Sequence, residues 1–436
     1  MWKTAFAESG AGACGFTNTK TPVVVFTGMV QALVRYRHDS CRMKKSDTSS
    51  GASASASFSP AQISPAQVHA FRLERHHLLD RPSKDRPSKD LVTICRDVCG
   101  VQAQIMSAAY LQLWARNHAV TRKHVEEALW QARTLIKTSL MRQTVHLVPS
   151  DEFWLYIAAL RSCRIAGALR VMARCGIARE EADSLTTLIM DTFSHGPLGR
   201  AEIFAAVRPK VSKRVRAWME KVWSIVRIPI AEGLLCYGSG EGNEVKFIRT
   251  DQWLGKPGTK LIPEAEAQSL LLCKYLRAYG PATLNDFAHW AGIPITQVRP
   301  LRALPGDQLL EVDAEKDHCL LLRKDLKLLK SKPANTASVR LLPHFDPYLL
   351  AHREKDHLLE KKNYKRVYRN QGWISPVVLI DGEIAGVWSY QPSGRQIEIA
   401  VELFKPISKN TRAQIEGQAM ALGEFFERTP SISFKS

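Results

Sequence analysis

Two glutamines separated by a single alanine, Gln102 and Gln104, are the residues of this 436-residue chain whose types and spacing best suit chemistry. A glutamine amide does not titrate near neutral pH, so neither side chain can act as an ordinary proton-abstracting base. Its oxygen can accept a hydrogen bond from water, and its dipole can stabilise developing positive charge. A Gln-X-Gln triplet is expected by chance in a chain of this length, and such glutamines can also cap a helix. The triplet therefore defines a candidate site only in its context.

The spacing of the two glutamines predicts their backbone conformation. Residues at i and i+2 point to the same side of an extended chain but not of a helix. The preceding helix has apolar residues at i, i+3, i+4 and i+7 from residue 91, and Gly100 ends it. We therefore expect Gln102 and Gln104 to lie in a non-helical lead into a helix that starts near Ile105.

Other catalytic and metal-binding motifs have no support in the sequence. The chain has no phosphate-cradling glycine loop, HExxH or GxSxG pattern, which argues against nucleotide hydrolysis, zinc proteolysis and α/β-hydrolase chemistry. Its nine cysteines form no CxxC pair, so we expect reduced thiols rather than a disulfide framework or a zinc ribbon. Cys95 and Cys99 could share a metal at i, i+4 but are interpreted as core residues. We predict no metal and no cofactor.

The histidines also lack the spacing of a known ligand set. They are interpreted as surface or capping residues: His76, His77, His344, His352 and His357.

The elements around the glutamines follow an order of three helices and a strand pair, which is typical of a winged helix. Ser64 before Pro65 predicts a helix start, and residues 138–148 have the β-branched content of strands. A Gly-Pro pair recurs before two later units of this kind, and in the last of them Thr283 is expected to cap a helix. The direct RPSKD repeat over residues 81–90 is expected to form a loop, because its two prolines forbid a continuous helix.

The C-terminal part of the chain has a different pattern, with a tight hairpin at Asp381-Gly382, a third antiparallel strand and a closing helix. The predicted fold class is therefore mainly α with small β-hairpins (α+β), with tandem winged-helix motifs followed by a C-terminal antiparallel β-hairpin/helix region. The predicted domains are a flexible low-complexity lead (1–60), a first winged-helix region with the glutamine motif (61–160), second and third winged-helix regions (161–260 and 261–335) and a C-terminal α+β region (336–436).

The charge balance favours a polyanionic partner. Lysine and arginine number 61 against 42 acidic residues, a net charge of +19, so nucleic acid is the leading partner, with membrane surfaces and ribosomes as weaker alternatives. The longest apolar run, over residues 21–34, is too short to span a bilayer. Two basic clusters are expected to neutralise DNA phosphates. They comprise Arg208, Lys210, Lys213, Arg214 and Arg216, and Lys361, Lys362, Lys365, Arg366 and Arg369.

Several segments resemble the AlkZ-like (YcaQ-related) winged-helix DNA glycosylases. The Gly-Val-Gln-Ala-Gln segment at 100–104 resembles the glutamine motif of that family, and the Leu-Leu-Pro-His-Phe-Asp-Pro-Tyr-Leu-Leu segment at 341–350 is similar to its most recognisable block. The resemblance runs from about residue 61 to the end. Further similar segments occur in the family's order, at residues 138–148, 195–200, 279–283, 372–378 and 382–388.

The resemblance implies tandem winged helices that grip double-stranded DNA carrying alkylated purines, and hydrolysis of an N-glycosidic bond with Gln102 and Gln104 as the catalytic pair. Some relatives have Asp at the second position. Glutamine at both positions places this chain nearer the branch that unhooks interstrand crosslinks. Since a guanine alkylated at N7 is already cationic, the pair would position a water and stabilise the sugar cation, with the division of roles left open. Asp346, in the matched block, is a candidate support for the site, although ordering a turn or an arginine is its favoured role.

The remaining implications concern the reaction and the assembly. No lysine lies in the glutamine motif to form a Schiff base, so a monofunctional, metal-independent glycosylase is expected. Several winged helices in one chain remove the need for a dimer, so we expect a monomer, located in the cytoplasm with the nucleoid. Two alternatives stay open. A non-catalytic winged-helix DNA-binding regulator or architectural protein shares nearly every feature except the glutamines, and an RNA- or ribosome-associated protein rests on charge alone.

Overall fold

The computed structural model describes residues 61–79, 87–194, 196–222, 224–240, 244–255, 262–315, 317–333 and 336–435. The predicted lead over residues 1–60, and the first copy of the RPSKD repeat, lie outside these residues. Within them, no helix combines the length and the apolar character that crossing a membrane requires.

The glutamine motif lies in a region of helices that precede and flank a three-stranded antiparallel sheet. The elements are β1 (Ala61–Ile63), α1 (Pro65–Arg75), α2 (Pro87–Asp97), β2 (Val101–Gln102), α3 (Met106–Trp114), α4 (Arg122–Glu126) with a π-helical turn at Glu127–Gln131, β3 (Leu135–Ser139) and β4 (Val145–Pro149). The strand order in the sheet is β2-β4-β3.

The starts of the first two helices follow proline rules. Ser64 caps α1 in a capping box with Gln67, and Pro65 is the first helical residue, as predicted. Helix α2 begins at Pro87, inside the second copy of the repeat, so the predicted loop is wrong for residues 87–90. A proline is acceptable at the first helical position because its missing N–H would have no intrahelical partner there.

A second region repeats the arrangement of helices with a three-stranded sheet. Its elements are α5 (Phe153–Arg174), α6 (Arg179–Asp191), β5 (Leu198–Gly199), α7 (Arg200–Val207), α8 (Lys213–Lys221), α9 (Arg227–Ala231), β6 (Leu235–Gly238), β7 (Lys246–Arg249) and α10 (Thr250–Leu254). The strand order in this sheet is β5-β7-β6. This region shares one hydrophobic core with the first region, since Val101 and Leu147 of the first sheet are buried together with Leu235 and Phe247 of the second.

A third region completes its sheet with the first strand of the described residues. The elements of this region are α11 (Glu264–Tyr279), α12 (Leu284–Ala291), α13 (Ile295–Val298), β8 (Leu309–Ala314), β9 (Asp317–Leu322) and α14 (Leu326–Lys330). Strand β1 pairs in parallel with β8, and the strand order is β1-β8-β9. Thr283 caps α12, as predicted, and forms a capping box with Asp286.

The C-terminal region is built on a five-stranded sheet. The elements are β10 (Val339–Leu342), α15 (Pro347–Leu350), α16 (Tyr364–Val367), β11 (Val377–Ile380), β12 (Glu383–Ser393), β13 (Gln396–Leu403), α17 (Lys409–Phe425) and β14 (Thr429–Lys435). The strand order is β10-β11-β12-β13-β14, in which the last pair is parallel and the other pairs are antiparallel. The predicted hairpin at Asp381-Gly382 and the closing helix are both confirmed.

Helix α3 joins the first sheet to the C-terminal region. Its Ala109 and Leu113 are buried in the core shared by the first two regions, whereas Leu111 and Trp114 are buried against the C-terminal sheet. The α+β class is confirmed, and the assignment of the three small sheets to winged helices stays a prediction. Because the glutamine motif directly precedes α3, it lies at this junction.

Candidate active site

A glycine fixes the path of the chain into the glutamine motif. Gly100 has φ +92° and donates its N–H to the carbonyl of Cys95 at 2.7 Å, which closes the end of α2. A Cβ at this position would lie 2.7 Å from Cγ1 of Val148 and 3.0 Å from the carbonyl oxygen of Leu147. Only glycine accommodates both this backbone conformation and the close approach of β4.

The two glutamines lie in the predicted non-helical lead into α3. Gln102 lies in β2 opposite His146 of β4, and α3 begins at Met106 with Ile105 as its N-cap. The Nε2–H of Gln102 donates to Oε1 of Gln104 at 2.5 Å. Gln102 is 6% exposed, whereas Gln104 is half-buried. The pair therefore forms one hydrogen-bonded unit with one member in the protein interior and the other at the surface.

A third glutamine, Gln112, which no sequence motif singles out, holds this unit in place. Gln112 of α3 is fully buried and donates Nε2–H to the backbone carbonyls of Gln102 at 3.0 Å and His344 at 3.2 Å. These two acceptors are far apart in the chain, so only the folded structure brings them together. Gln112 thus fixes the backbone of the motif against the 341–350 block.

Asp346 forms a fully buried ion pair with Arg116. Nη1 and Nη2 of Arg116 donate to the two carboxylate oxygens, each at 2.8 Å, and both side chains are 0% exposed. Asp346 also accepts the backbone N–H of Tyr348 at 3.0 Å, and Arg116 donates to the carbonyl of Gln112 at 2.8 Å. Asp346 therefore orders both a turn and an arginine, and Arg116 and Gln112 connect it to the glutamine motif.

An aromatic cluster lies beside the carbonyl that Gln112 contacts. The His344 and Trp373 ring centroids are 5.1 Å apart, and those of Phe345 and Trp373 are 5.2 Å apart. Nδ1 of His344 bonds to the carbonyl of Ile374 at 2.7 Å, and burial lowers the pKa of His344. This cluster therefore places neutral rings beside the junction.

His146, the strand partner of Gln102, is buried and neutral. It is 3% exposed, and its Nδ1 bonds to the carbonyl of Thr144 at 2.8 Å. Burial, with a smaller contribution from Arg142, lowers its pKa from 6.5 to about 3. A proton on this imidazole would place a charge in the interior beside the glutamine pair.

We expect His146→Asn to weaken the acid sensitivity of folding. The unfolded state binds a proton below about pH 6.5, whereas the folded state does so only near pH 3, so the contribution is full above pH 6.5 and is lost as the pH falls. The wild type should lose roughly 1.4 kcal/mol per pH unit more than the variant over that range. Urea unfolding between pH 7 and pH 4 measures both slopes, and equal slopes would contradict the buried neutral state of His146.

The predicted DNA-binding clusters differ in how far their charges are neutralised. In the first cluster, Arg208 lies 3.8 Å from Glu220, and Arg214 donates to the carbonyl of Gly176. Most of the second cluster is paired with acids. Its pairs are Lys361 with Asp356, Lys362 with Glu360, and Arg366 with Glu402. DNA contact by either cluster stays a prediction, and the first presents the less neutralised surface.

The thiols and histidines behave mostly as core groups. Cys95 and Cys99 are buried, as interpreted from the sequence, and burial raises the pKa of each thiol to about 12. The interpretation of the histidines as surface or capping groups is wrong for His76 and His352, which are buried in packed regions. Across the described ranges, no three His, Cys, Asp or Glu side chains are grouped so as to hold a metal ion.

Comparison with known proteins identifies relatives along most of the chain. The family described as "DNA glycosylase AlkZ-like" matches residues 95–425. An "Interstrand DNA cross-link repair glycosylase" from Streptomyces sahachiroi is 32% identical over 299 residues, which cover 67% of this chain and 80% of the relative. The solved structure of Streptomyces sahachiroi DNA glycosylase AlkZ aligns with a TM-score of 0.74 at 27% identity, covering 86% of this chain and 100% of that one.

Proposed function

Because the chain belongs to the AlkZ-like DNA glycosylase family, we propose that it hydrolyses the N-glycosidic bond of purines alkylated at N7 in double-stranded DNA, including interstrand crosslinks. The observation that carries this proposal is the hydrogen-bonded pair of Gln102 and Gln104, which lies in non-helical backbone at the junction of the first and C-terminal regions. The structural relative and the curated relative support the reaction class, and the curated relative's name supports the crosslink substrate.

The enzyme does not need to protonate the leaving purine. A purine alkylated at N7 carries a positive charge, so its C1′–N9 bond breaks with the electron pair remaining on N9 and no acid is needed. The sugar then carries the positive charge. A water oxygen bonds to C1′, and the proton it loses passes to solvent, because an amide is not a base at neutral pH. The protein must therefore hold the water and stabilise the sugar cation.

The burial of the two amides suggests a division of roles. Oε1 of Gln104 has two lone pairs, and Gln102 occupies one of them. The second lone pair lies on a half-buried side chain, where it can accept a hydrogen bond from the attacking water. Gln102 is inside the protein and donates to Gln104, so we assign it the orientation of that oxygen. Both amide dipoles then favour positive charge at C1′.

Two observations favour crosslinks among the substrates. The curated relative is named for interstrand crosslink repair, and this chain has glutamine at both motif positions. A base that is joined to the opposite strand cannot swing freely into a deep pocket. The half-buried position of Gln104 suits an accessible site of this kind.

The test is release of the free base from duplex DNA that carries N7-methylguanine or an N7-linked crosslink, with the full-length chain and a chelator present. Release should leave an abasic strand that breaks only on alkaline treatment, which is the outcome for a monofunctional, metal-independent enzyme. Trapping of the protein on DNA by borohydride would contradict the monofunctional assignment. Loss of release on chelation would contradict metal independence.

The same base-release assay distinguishes the proposed glycosylase from the alternative function, a protein that binds DNA without catalysis. A winged-helix regulator or architectural protein would bind DNA tightly and release no base from either substrate.

Sedimentation of the DNA complex tests the proposal that the protein is a monomer, since one chain per duplex is expected.

A further inference from the structure

The peptide unit that joins Gln102 to Ala103 is held by hydrogen bonds at both of its polar groups. Its N–H, on Ala103, donates to the carbonyl of Val145 in β4 at 2.7 Å. Its carbonyl, on Gln102, accepts the Nε2–H of Gln112 at 3.0 Å. A peptide unit is planar, so two bonds on opposite sides fix its orientation. Because the chain passes through this unit from Gln102 to Gln104, the direction of one glutamine relative to the other depends on both bonds.

The first of these bonds belongs to the sheet, but the second has to come from elsewhere. β2 is the edge strand of the first sheet as described. Gln102 lies opposite His146, and the bond from Ala103 to β4 directly follows this pair. In an antiparallel ladder the bonded and non-bonded pairs alternate, so the carbonyl of Gln102 points away from β4 and out of the sheet edge. A buried carbonyl there needs a donor that no strand of this sheet provides.

Gln112 of α3 supplies that donor. Its side chain is 0% exposed, and Nε2 donates to the carbonyls of both Gln102 and His344. Because both acceptors are carbonyl oxygens, the NH2 side of the amide must face them, which fixes the orientation of the amide. Its Oε1 is buried without a hydrogen-bond partner in the described part of the chain. An unsatisfied buried acceptor is costly, so the two donors are what this residue contributes.

The bond to His344 anchors Gln112 to a segment that is itself fixed. Arg116, four residues after Gln112, forms the fully buried ion pair with Asp346, two residues after His344. The 341–350 block is therefore joined to the segment that carries Gln112 by two separate contacts. Since the amide of Gln112 is held at His344, it sets the position of the carbonyl of Gln102.

We propose that Gln112 is a positioning residue for base release. By holding the peptide unit between Gln102 and Ala103, it keeps the amides of Gln102 and Gln104 in the orientation that holds the attacking water. The proposal rests on the proposed function for the identity of the reaction, and it deepens that function by naming the residue that aligns the pair. Gln112 is fully buried, so it acts through Gln102 and does not touch the DNA.

The first test is Gln112→Met, which keeps the length of the side chain and removes both donors. The single-turnover rate of base release should fall by about 10-fold to 100-fold, because a small misplacement of reacting groups has effects of that size. Duplex affinity, measured by fluorescence anisotropy, should be unchanged. A normal rate in this variant would overturn the proposal.

Gln268→Met is the matched control. Gln268 is also a buried glutamine, 4% exposed, whose Nε2 donates to two acceptors, the carbonyl of Ala159 at 3.1 Å and the carboxylate of Glu264 at 3.0 Å. It joins α11 to α5 rather than to the glutamine motif. Its replacement should lower the Tm as Gln112→Met does but leave the rate of the folded protein unchanged. An equal loss of rate in both variants would make the effect one of stability and would overturn the proposal.

A double-mutant cycle separates positioning from a general structural role. In a Gln104→Ala background, Gln112→Met should cause little further loss of rate, since the pair that it aligns has already been disrupted. A structural residue would instead give losses that multiply. Gln112→Asn has a shorter side chain that does not reach both carbonyls, and it should show the same pattern if the methionine variant does not fold. If neither variant folds, Gln112 is a structural residue and the proposal is wrong.

Hydrogen exchange of the Ala103 N–H without DNA tests the hold on the peptide unit independently of the reaction. Exchange should be faster in Gln112→Met than in the wild type and unchanged in Gln268→Met, because loss of one bond lets this unit open locally. If the wild type releases base and Gln112→Met alters neither exchange nor rate, the positioning role fails and the proposed function stands. If the wild type releases no base, the proposed function fails, and the exchange result alone decides whether Gln112 holds the motif.

Discussion

Replacing Gln104 with alanine is expected to lower the single-turnover rate of base release by about 100-fold, with duplex affinity unchanged. The magnitude is that of removing one positioned polar group from a site where charge develops. Affinity should hold because Gln104 is one half-buried amide on a protein whose net charge is +19. Quench-flow or manual sampling of free base, beside fluorescence anisotropy of the same duplex, measures both quantities.

Gln102→Ala should cause a similar loss, and the double variant should be little worse than either single variant. The reason is that Gln102 donates to Gln104, so the two act as one unit and their effects are not additive. Gln297→Ala serves as the control, since that glutamine is exposed on α13. A normal rate in the double variant would remove the pair from the mechanism, and a loss of rate that merely follows a loss of folded protein would make the pair structural.

Asp346→Asn is expected to destabilise the protein by about 3–5 kcal/mol. It leaves the Arg116 guanidinium buried at 0% exposure without its charged partner, and breaking one side of a buried pair costs about that much. Arg116→Met should be similarly damaging. The double variant Arg116→Met/Asp346→Leu should recover part of the loss, because no unpaired charge remains. Urea unfolding at neutral pH gives all three values.

The exposed ion pair of Arg412 and Glu416 on α17 is the matched comparison for the buried pair of Arg116 and Asp346. Arg412 lies 3.1 Å from Glu416 at i, i+4, and both side chains are about half exposed. Glu416→Gln should change stability by less than about 1 kcal/mol, because solvent screens such pairs. If Asp346→Asn were no more damaging than Glu416→Gln, the buried pair would not be what joins α3 to the 341–350 block.

Features that depend on neighbouring residues were predictable from the sequence. The non-helical lead that holds Gln102 and Gln104 follows from their i, i+2 spacing after Gly100, and the structure confirms it. The capping boxes at Ser64 and Thr283 are also local, because a side chain reaches a backbone group three residues away. The prediction of a loop over the RPSKD repeat was wrong from Pro87 onward, and the reason is also local. A proline can begin a helix as well as interrupt one.

Features that join distant segments were decided by the tertiary structure. The pairing of β1 with β8, the bridge from Gln112 to His344 and the ion pair of Arg116 with Asp346 each link segments about 230 or more residues apart. No local pattern marks such partners, because the choice depends on which surfaces remain to be buried once the helices and strands have formed.

The sequence by itself determined the fold class, the family and the pair of amides that we propose to hold a water. All three follow from the order and spacing of neighbouring residues along the chain. Only the tertiary structure decided what surrounds that pair. It buried Gln102, left Gln104 half-buried, placed a neutral histidine beside them and paired Arg116 with Asp346 in the interior. The physical reason is that burial and the pairing of charges are properties of the packed structure, which the order of residues along the chain does not contain.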